Sequence, residues 1–136
     1  MLTSASATAM HAAGGDDESG SDRETVRRYA TADDIRQFYG ENQPMSMRAI
    51  TVLVDGHIKM ICGLAKEMPN RRAFIDADPD ADLDSYVFKR AILEGMKWVR
   101  SSQFGVYAAI EDERGAKLQE RLGFVPWFEG FNRWPG

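Results

Sequence analysis

The chain contains one cysteine, Cys62, in 136 residues. A single thiol can neither close an intramolecular disulfide nor build a cysteine-based zinc site, so a disulfide scaffold and a zinc module are both excluded. A reduced, cytoplasmic setting is the expectation. Histidine is nearly as scarce. His11 lies in the opening segment, and His57 follows a turn signal, where a solvated side chain is expected. Basic residues are missing from positions 1–22, which hold Asp16, Asp17, Glu18 and Asp22. The formal charge of -4 therefore resides there, leaving 17 of the 21 acidic residues against 17 basic ones in the rest of the chain. A neutral body lacks the basic footprint that counterion release requires, which argues against nucleic acid as a partner. No apolar run approaches the ~18 residues of a membrane span. Met1 to Gly15 also lacks the basic and continuous apolar regions of a signal peptide.

The remaining composition is that of a globular protein, with 43% apolar and 28% charged residues. Ser, Ala, Gly and Asp dominate residues 1–22, too polar to offset ordering entropy, so a disordered tail is expected there and one domain over residues 23–136. Glu24 to Ala30 reads as a short strand. Thr31 is an N-cap with Asp34 three residues on, and Ile35, Phe38 and Tyr39 define an amphipathic helix ending before Gly40. Met47 to Val54 and His57 to Glu67 are β-rich runs joined by Asp55-Gly56, the signature of a tight antiparallel hairpin. Pro69-Asn70 interrupts the second arm, and Arg72 to Asp76 reads as a further strand. A loop with five aspartates follows, from Asp76 to Asp84, in which Asp82 or Asp84 is expected to cap the next helix. That helix is dictated by Phe88, Ala91, Ile92, Gly95, Met96 and Val99, spaced at i, i+3, i+4, i+7, i+8 and i+11. Gly105 to Ile110 has no polar alternation, as in a strand covered on both faces. Glu111 to Gly115 reads as a loop, Ala116 to Leu122 as a helix stopped by Gly123, and Phe124 to Phe128 and Phe131 to Trp134 as two last strands. The order β α β β β α β α β β predicts an α/β sandwich whose mixed sheet splits between its halves.

That order, together with Asp112-Glu-Arg-Gly-Ala-Lys-Leu-Gln-Glu-Arg-Leu-Gly-Phe124, resembles the GNAT superfamily of N-acetyltransferases over about residues 24–136. Leu122-Gly123-Phe124 matches the turn that launches the family's next strand. Asp112 stands at the family's Asn position and Gln119 at its Tyr position. The resemblance implies a GNAT-like mixed, splayed sheet flanked by helices, acetyl-CoA as cofactor, and an amine-bearing small molecule or protein as acceptor. It places the cofactor against Asp78, Asp82, Leu83, Ser85 and Asp112. It assigns Glu67 or Asp76 as a base acting through water, and Gln119 or Tyr107 to the leaving thiolate, although Gln119 can offer only a hydrogen bond there. The pyrophosphate loop the resemblance calls for is rich in glycine, whereas Asp78 to Ser85 contains none. Its aspartates are expected to repel phosphate by about 1 kcal/mol per close pair. Eroded cofactor motifs of this kind also resemble small GNAT-like assembly or internal proteins of tailed bacteriophages, so a noncatalytic protein with a protein partner is the second expectation.

The other candidate features have plainer readings. The acidic run lacks the glycine and the bidentate Glu of an EF-hand loop, which argues against a metal. Cys62 alternates with Met60 and Leu64 as a buried apolar side chain. Trp98, Trp127, Phe128, Phe131 and Trp134 are expected to pack in the core and at its rim, with any exposed subset available for a contact.

Overall fold

The computed structural model describes residues 24–40 and 46–136. The tail expected for residues 1–22 lies outside the described residues. Among the described residues, seven strands and three helices follow one another as β1 (Thr25–Tyr29), α1 (Ala32–Tyr39), β2 (Met47–Val54), β3 (His57–Glu67), β4 (Asn70–Ala77), α2 (Tyr86–Ser101), β5 (Val106–Ala109), α3 (Glu113–Leu122), β6 (Val125–Phe128) and β7 (Phe131–Arg133). They form one mixed, mostly antiparallel sheet in the order β1-β2-β3-β4-β5-β7-β6, in which β4 and β5 are the parallel pair.

Local chemistry accounts for most of these elements. Thr31 accepts from the Asp34 N–H while the Asp34 carboxylate accepts from the Thr31 N–H, a reciprocal cap that starts α1. Asp55 and Gly56 both take positive φ, at 52° and 83°, as a two-residue hairpin turn with the hand of the strand twist requires. At the end of α3, Gly123 adopts φ 108° and ψ 6°, and its N–H returns to the Gln119 and Glu120 carbonyls, so the helix closes in a left-handed residue that turns directly into Phe124.

Three boundaries differ from the expectation. β4 begins at Asn70 and runs to Ala77, because β3 offers it a ladder partner at every position. α3 begins at Glu113 rather than Ala116, because the Asp112 carboxylate accepts from the Gly115 N–H at 2.7 Å and winds the expected loop into a first turn. Neither Asp82 nor Asp84 caps α2. Its N-cap is Ser85, which makes no side-chain cap bond, and Asp82 instead accepts from the Asp84 N–H at 3.1 Å.

Two apolar layers sandwich the sheet. Ile50, Val52, Met60 and Cys62 pack with Phe88, Ile92 and Met96 of α2 and Leu118 of α3 on one face. On the other, Ala49, Ile61, Ala65 and Phe74 pack beneath Ile35, Phe38 and Tyr39 of α1. Each large side chain so enclosed contributes about 1.5–3 kcal/mol. Asp34 is the charged group most deeply enclosed here, at 2% exposure. The Arg28 guanidinium at 2.6 Å, the Thr31 N–H and the Thr51 hydroxyl satisfy it.

Candidate functional site

Strands β4 and β5 are joined at only two registers, Arg71↔Val106 and Arg72↔Tyr107, anchored by the Arg71 N–H donating to the Gly105 carbonyl at 2.9 Å. β4 then runs five residues further and β5 two, with no further register pair between them among the described residues. Strand alternation turns the main-chain groups of Ala73, Ile75 and Ala77 the same way as those of Arg71, toward a neighbour that has left. A cavity of about 240 Å³ opens in that gap. Its lining includes Phe38, Phe74 and Asp76 from the α1 face as well as Ile92, Met96 and Leu118 from the α2 and α3 face, so the gap is a slot connecting the two sides of the sheet.

Of the residues singled out from sequence, Asp76, Leu83, Asp112 and Gln119 line this slot, whereas Glu67, Tyr107, Asp78, Asp82 and Ser85 do not. Asp76 lies on β4 and accepts a hydrogen bond from the Tyr39 hydroxyl of α1. Burial, with the Asp76 charge and hydrogen bond next in importance, pushes the Tyr39 phenol well above its usual range, so the proton stays on tyrosine. Leu83 packs against the large core rather than standing open at the loop.

Glu67 and Tyr107 meet beside the slot although 40 residues separate them. Glu67 accepts from the Tyr107 hydroxyl through one oxygen and from Arg72 Nε through the other, at 3.2 Å. The Tyr107 hydrogen bond holds the Glu67 carboxyl below its usual range against the opposing effect of burial, and Arg72 adds to it. Tyr107 is raised by burial and then by the neighbouring carboxylate. The pair therefore stands as carboxylate and phenol at neutral pH, with the phenolic proton directed to Glu67.

Gln119 is engaged at both ends. Its Nε2 donates to the Ala109 carbonyl at 2.9 Å and its Oε1 accepts from Asn132 Nδ2 at 2.8 Å, which bolts α3 to β5 and β7. Ala109 is the last residue of β5, and its carbonyl lies on the β4 side because the alternate residues Val106 and Ile110 bond toward the β6–β7 hairpin.

The aspartate run is less isolated than its composition suggests. Lys59 reaches Asp78 at 3.3 Å and Asp80 at 3.5 Å, and Arg121 stands 3.9 Å from Asp84. Arg114 of α3 spans the loop and donates to the carbonyls of Asp78, Pro79 and Ala81. Asp82 makes no ion pair among the described residues and is exposed.

Sequence reasoning missed Arg72, Tyr39, Lys59, Arg114 and Asn132. Arg72 carried a usable signal, since strand alternation puts Arg72, Phe74 and Asp76 on one face. Lys59, Tyr39, Arg114 and Asn132 find their partners only through the fold. Among the described residues, no group of His, Cys, Asp and Glu has the makings of a metal site, and no helix is long and apolar enough to cross a membrane.

The described chain is thus a mixed α/β protein whose sheet parts around a slot. No family model matches the chain, and no curated protein or solved structure matches it.

Proposed function

We propose that the chain is a GNAT-like protein that binds acetyl-CoA, its pantetheine arm threaded through the slot between β4 and β5, and presents the acetyl group to an amine. The single observation behind this reading is the parting of a parallel strand pair around a cavity that reaches both faces of the sheet. A slot of that shape suits a long, thin ligand, and the outward main-chain groups of Ala73, Ile75 and Ala77 offer such a ligand the hydrogen bonds that β5 would otherwise make. When bound, acetyl-CoA supplies a thioester carbonyl: the amine nitrogen forms the C–N bond, the C–S bond breaks, and the proton shed by the amine ends on the departing thiolate.

On the α1 face, Asp76 is the carboxylate on the slot itself and the candidate to take the amine's proton through water. Glu67, committed to Tyr107 and Arg72, orders that side of the slot. At the α2 end, Ser85 leaves the first helical N–H groups without a side-chain cap, an arrangement that suits an anion. Asp82 and the lack of glycine between Asp78 and Ser85 oppose it, so binding in the millimolar range is expected, about -4 kcal/mol.

Calorimetric titration with acetyl-CoA tests the reading, using the wild type, Ala109→Trp to plug the slot, and Asp82→Arg/Ser85→Gly to favour phosphate. Leu83 is left alone because it serves the core. The expected order of affinity is the loop variant, then the wild type, with no binding by the plugged variant. Equal binding by all three, or none by any, overturns the proposal.

A second reading, a noncatalytic assembly or interaction protein, is favoured by one observation: both ends of the Gln119 amide are occupied, and the Tyr107 hydroxyl donates its hydrogen bond to Glu67, so neither is free to serve a leaving thiolate. Acetyl-CoA binding without acetylation of any amine would support it.

A further inference from the structure

The α1 face of the sheet is covered only in part. Helix α1 packs over β2, β3 and β4, while α2 and α3 lie on the opposite face. Val106 and Ala108 of β5 point into the α2 and α3 core, so Tyr107 between them points to the α1 face. Asn132 reaches Gln119 on α3, so its neighbour Phe131 also points to the α1 face. Among the described residues, no helix roofs this half of the sheet. Instead Tyr107 meets Trp127 at 5.7 Å and Phe131 at 5.8 Å between ring centroids, Phe128 meets Trp127 at 4.4 Å and Phe131 at 5.1 Å, and none of the four belongs to either core layer. Trp127 and Phe128 keep 44% and 56% of their surface exposed.

The aromatic group adjoins the slot. Tyr107 donates to Glu67, Glu67 pairs with Arg72, and Arg72 lines the slot. Charge along the slot as a whole is biased: its lining carries Asp76, Glu111 and Asp112 against Arg72 and Arg114, of which Arg72 is already paired with Glu67, while Asp112 and Arg114 belong to α3 on the opposite face. Open ring faces beside a surplus of carboxylate fit a ligand that is flat and apolar at one end and cationic at the other.

We infer that the surface formed by Tyr107, Trp127, Phe128 and Phe131 binds an aromatic primary amine, with its ring on the aromatic group and its ammonium toward the carboxylates of the slot. This rests on the reading of the slot as the place where an amine is acetylated, and it names the acceptor class: an arylalkylamine rather than a polyamine or an amino sugar. A polycation without a ring would gain little from four ring faces.

The test is a titration of the full chain with 2-phenylethylamine, followed by the indole N–H signals of Trp98, Trp127 and Trp134 in nitrogen-15 NMR. Spermidine serves as a cation without a ring, and 2-phenylethanol as a ring without a charge. Phenylethylamine should shift the Trp127 signal and leave Trp98 and Trp134 in place, and both controls should bind at least about tenfold more weakly. Trp127→Ala/Phe128→Ala should weaken phenylethylamine by about tenfold or more, read from the amide signals of Tyr107 and Phe131, while unmoved Trp98 and Trp134 signals report an intact fold. Equal saturation by spermidine, or undiminished binding by the double variant, overturns the inference. The two proposals fail separately. Phenylethylamine binding without acetyl-CoA binding keeps the amine site and removes the transferase reading, whereas slot-dependent acetyl-CoA binding without phenylethylamine binding removes the amine site alone.

Discussion

Replacing Gln119 with Leu separates a structural role for this residue from a chemical one. The side chain spans 2.9 Å to the Ala109 carbonyl and 2.8 Å to Asn132 Nδ2, and leucine retains much of the volume while removing both bonds. Asn132 is 9% exposed, so its stranded amide loses access to most of the water that would replace Gln119 and costs about 1–2 kcal/mol. The Ala109 carbonyl faces the slot, where water can reach it, and its loss is nearer 0.5–1 kcal/mol. The sum, about 2 kcal/mol, lowers the unfolding midpoint by roughly 10 °C for a domain of this size. Thermal unfolding followed by circular dichroism measures it. Gln119→Leu/Asn132→Leu should recover part of the loss because no buried amide is then stranded. A midpoint for Gln119→Leu within about 2 °C of wild type would refute the bolt. If acetylation activity fell while the midpoint stayed unchanged, the amide would belong to the chemistry instead.

Asp34→Ala should cost about 2 kcal/mol by removing the buried carboxylate that accepts from half-exposed Arg28 and from Thr51, together with half of the reciprocal cap on α1, read by urea unfolding at pH 7. Burial opposes ionisation of this carboxyl, yet the hydrogen bonds from Arg28, Thr31 and Thr51 hold its folded pKa below the unfolded value of about 3.9. Its contribution is therefore complete above that unfolded value and disappears as pH falls through the lower folded one, so the gap between wild type and Asp34→Ala should narrow as the pH is taken below the unfolded value; a gap independent of pH would contradict the assignment. Gly123→Ala should cost roughly 1–2 kcal/mol, because φ is 108° and an added Cβ would lie 3.1 Å from the Trp134 ring; an unchanged denaturation midpoint would remove that account. Burial, with Glu94 and Asp76 as further causes, pushes the Cys62 thiol up to about 12. An aromatic disulfide reagent at pH 8 should then label the folded chain far more slowly than the urea-unfolded chain, and equal rates would show that the thiol is open.

Elements encoded within a few residues were legible in the sequence. Asp55-Gly56 carries the conformation its hairpin needs, the spacing from Phe88 to Val99 defines the buried stripe of α2, Thr31 with Asp34 marks the start of α1, and Gly123 its counterpart at the end of α3. Each depends on neighbours no more than about one or two helical turns away, and so appears as a local pattern. Tertiary structure decided what those elements do to one another. Parallel pairing of β4 with β5 is non-local, so only the fold shows that it stops after Arg72 and Tyr107 and leaves a slot. Strand register brings Glu67 to Tyr107 and Asp76 to Tyr39, across 40 and 37 residues. It also sets Lys59 against Asp78 and Asp80, so a run that reads as bare negative charge is partly neutralised by a cation from another strand. Gln119 shows the division within one residue: its place on a short helix before Leu122-Gly123 was readable, but the occupation of its amide by Ala109 and Asn132 depended on how that helix settles across the end of the sheet.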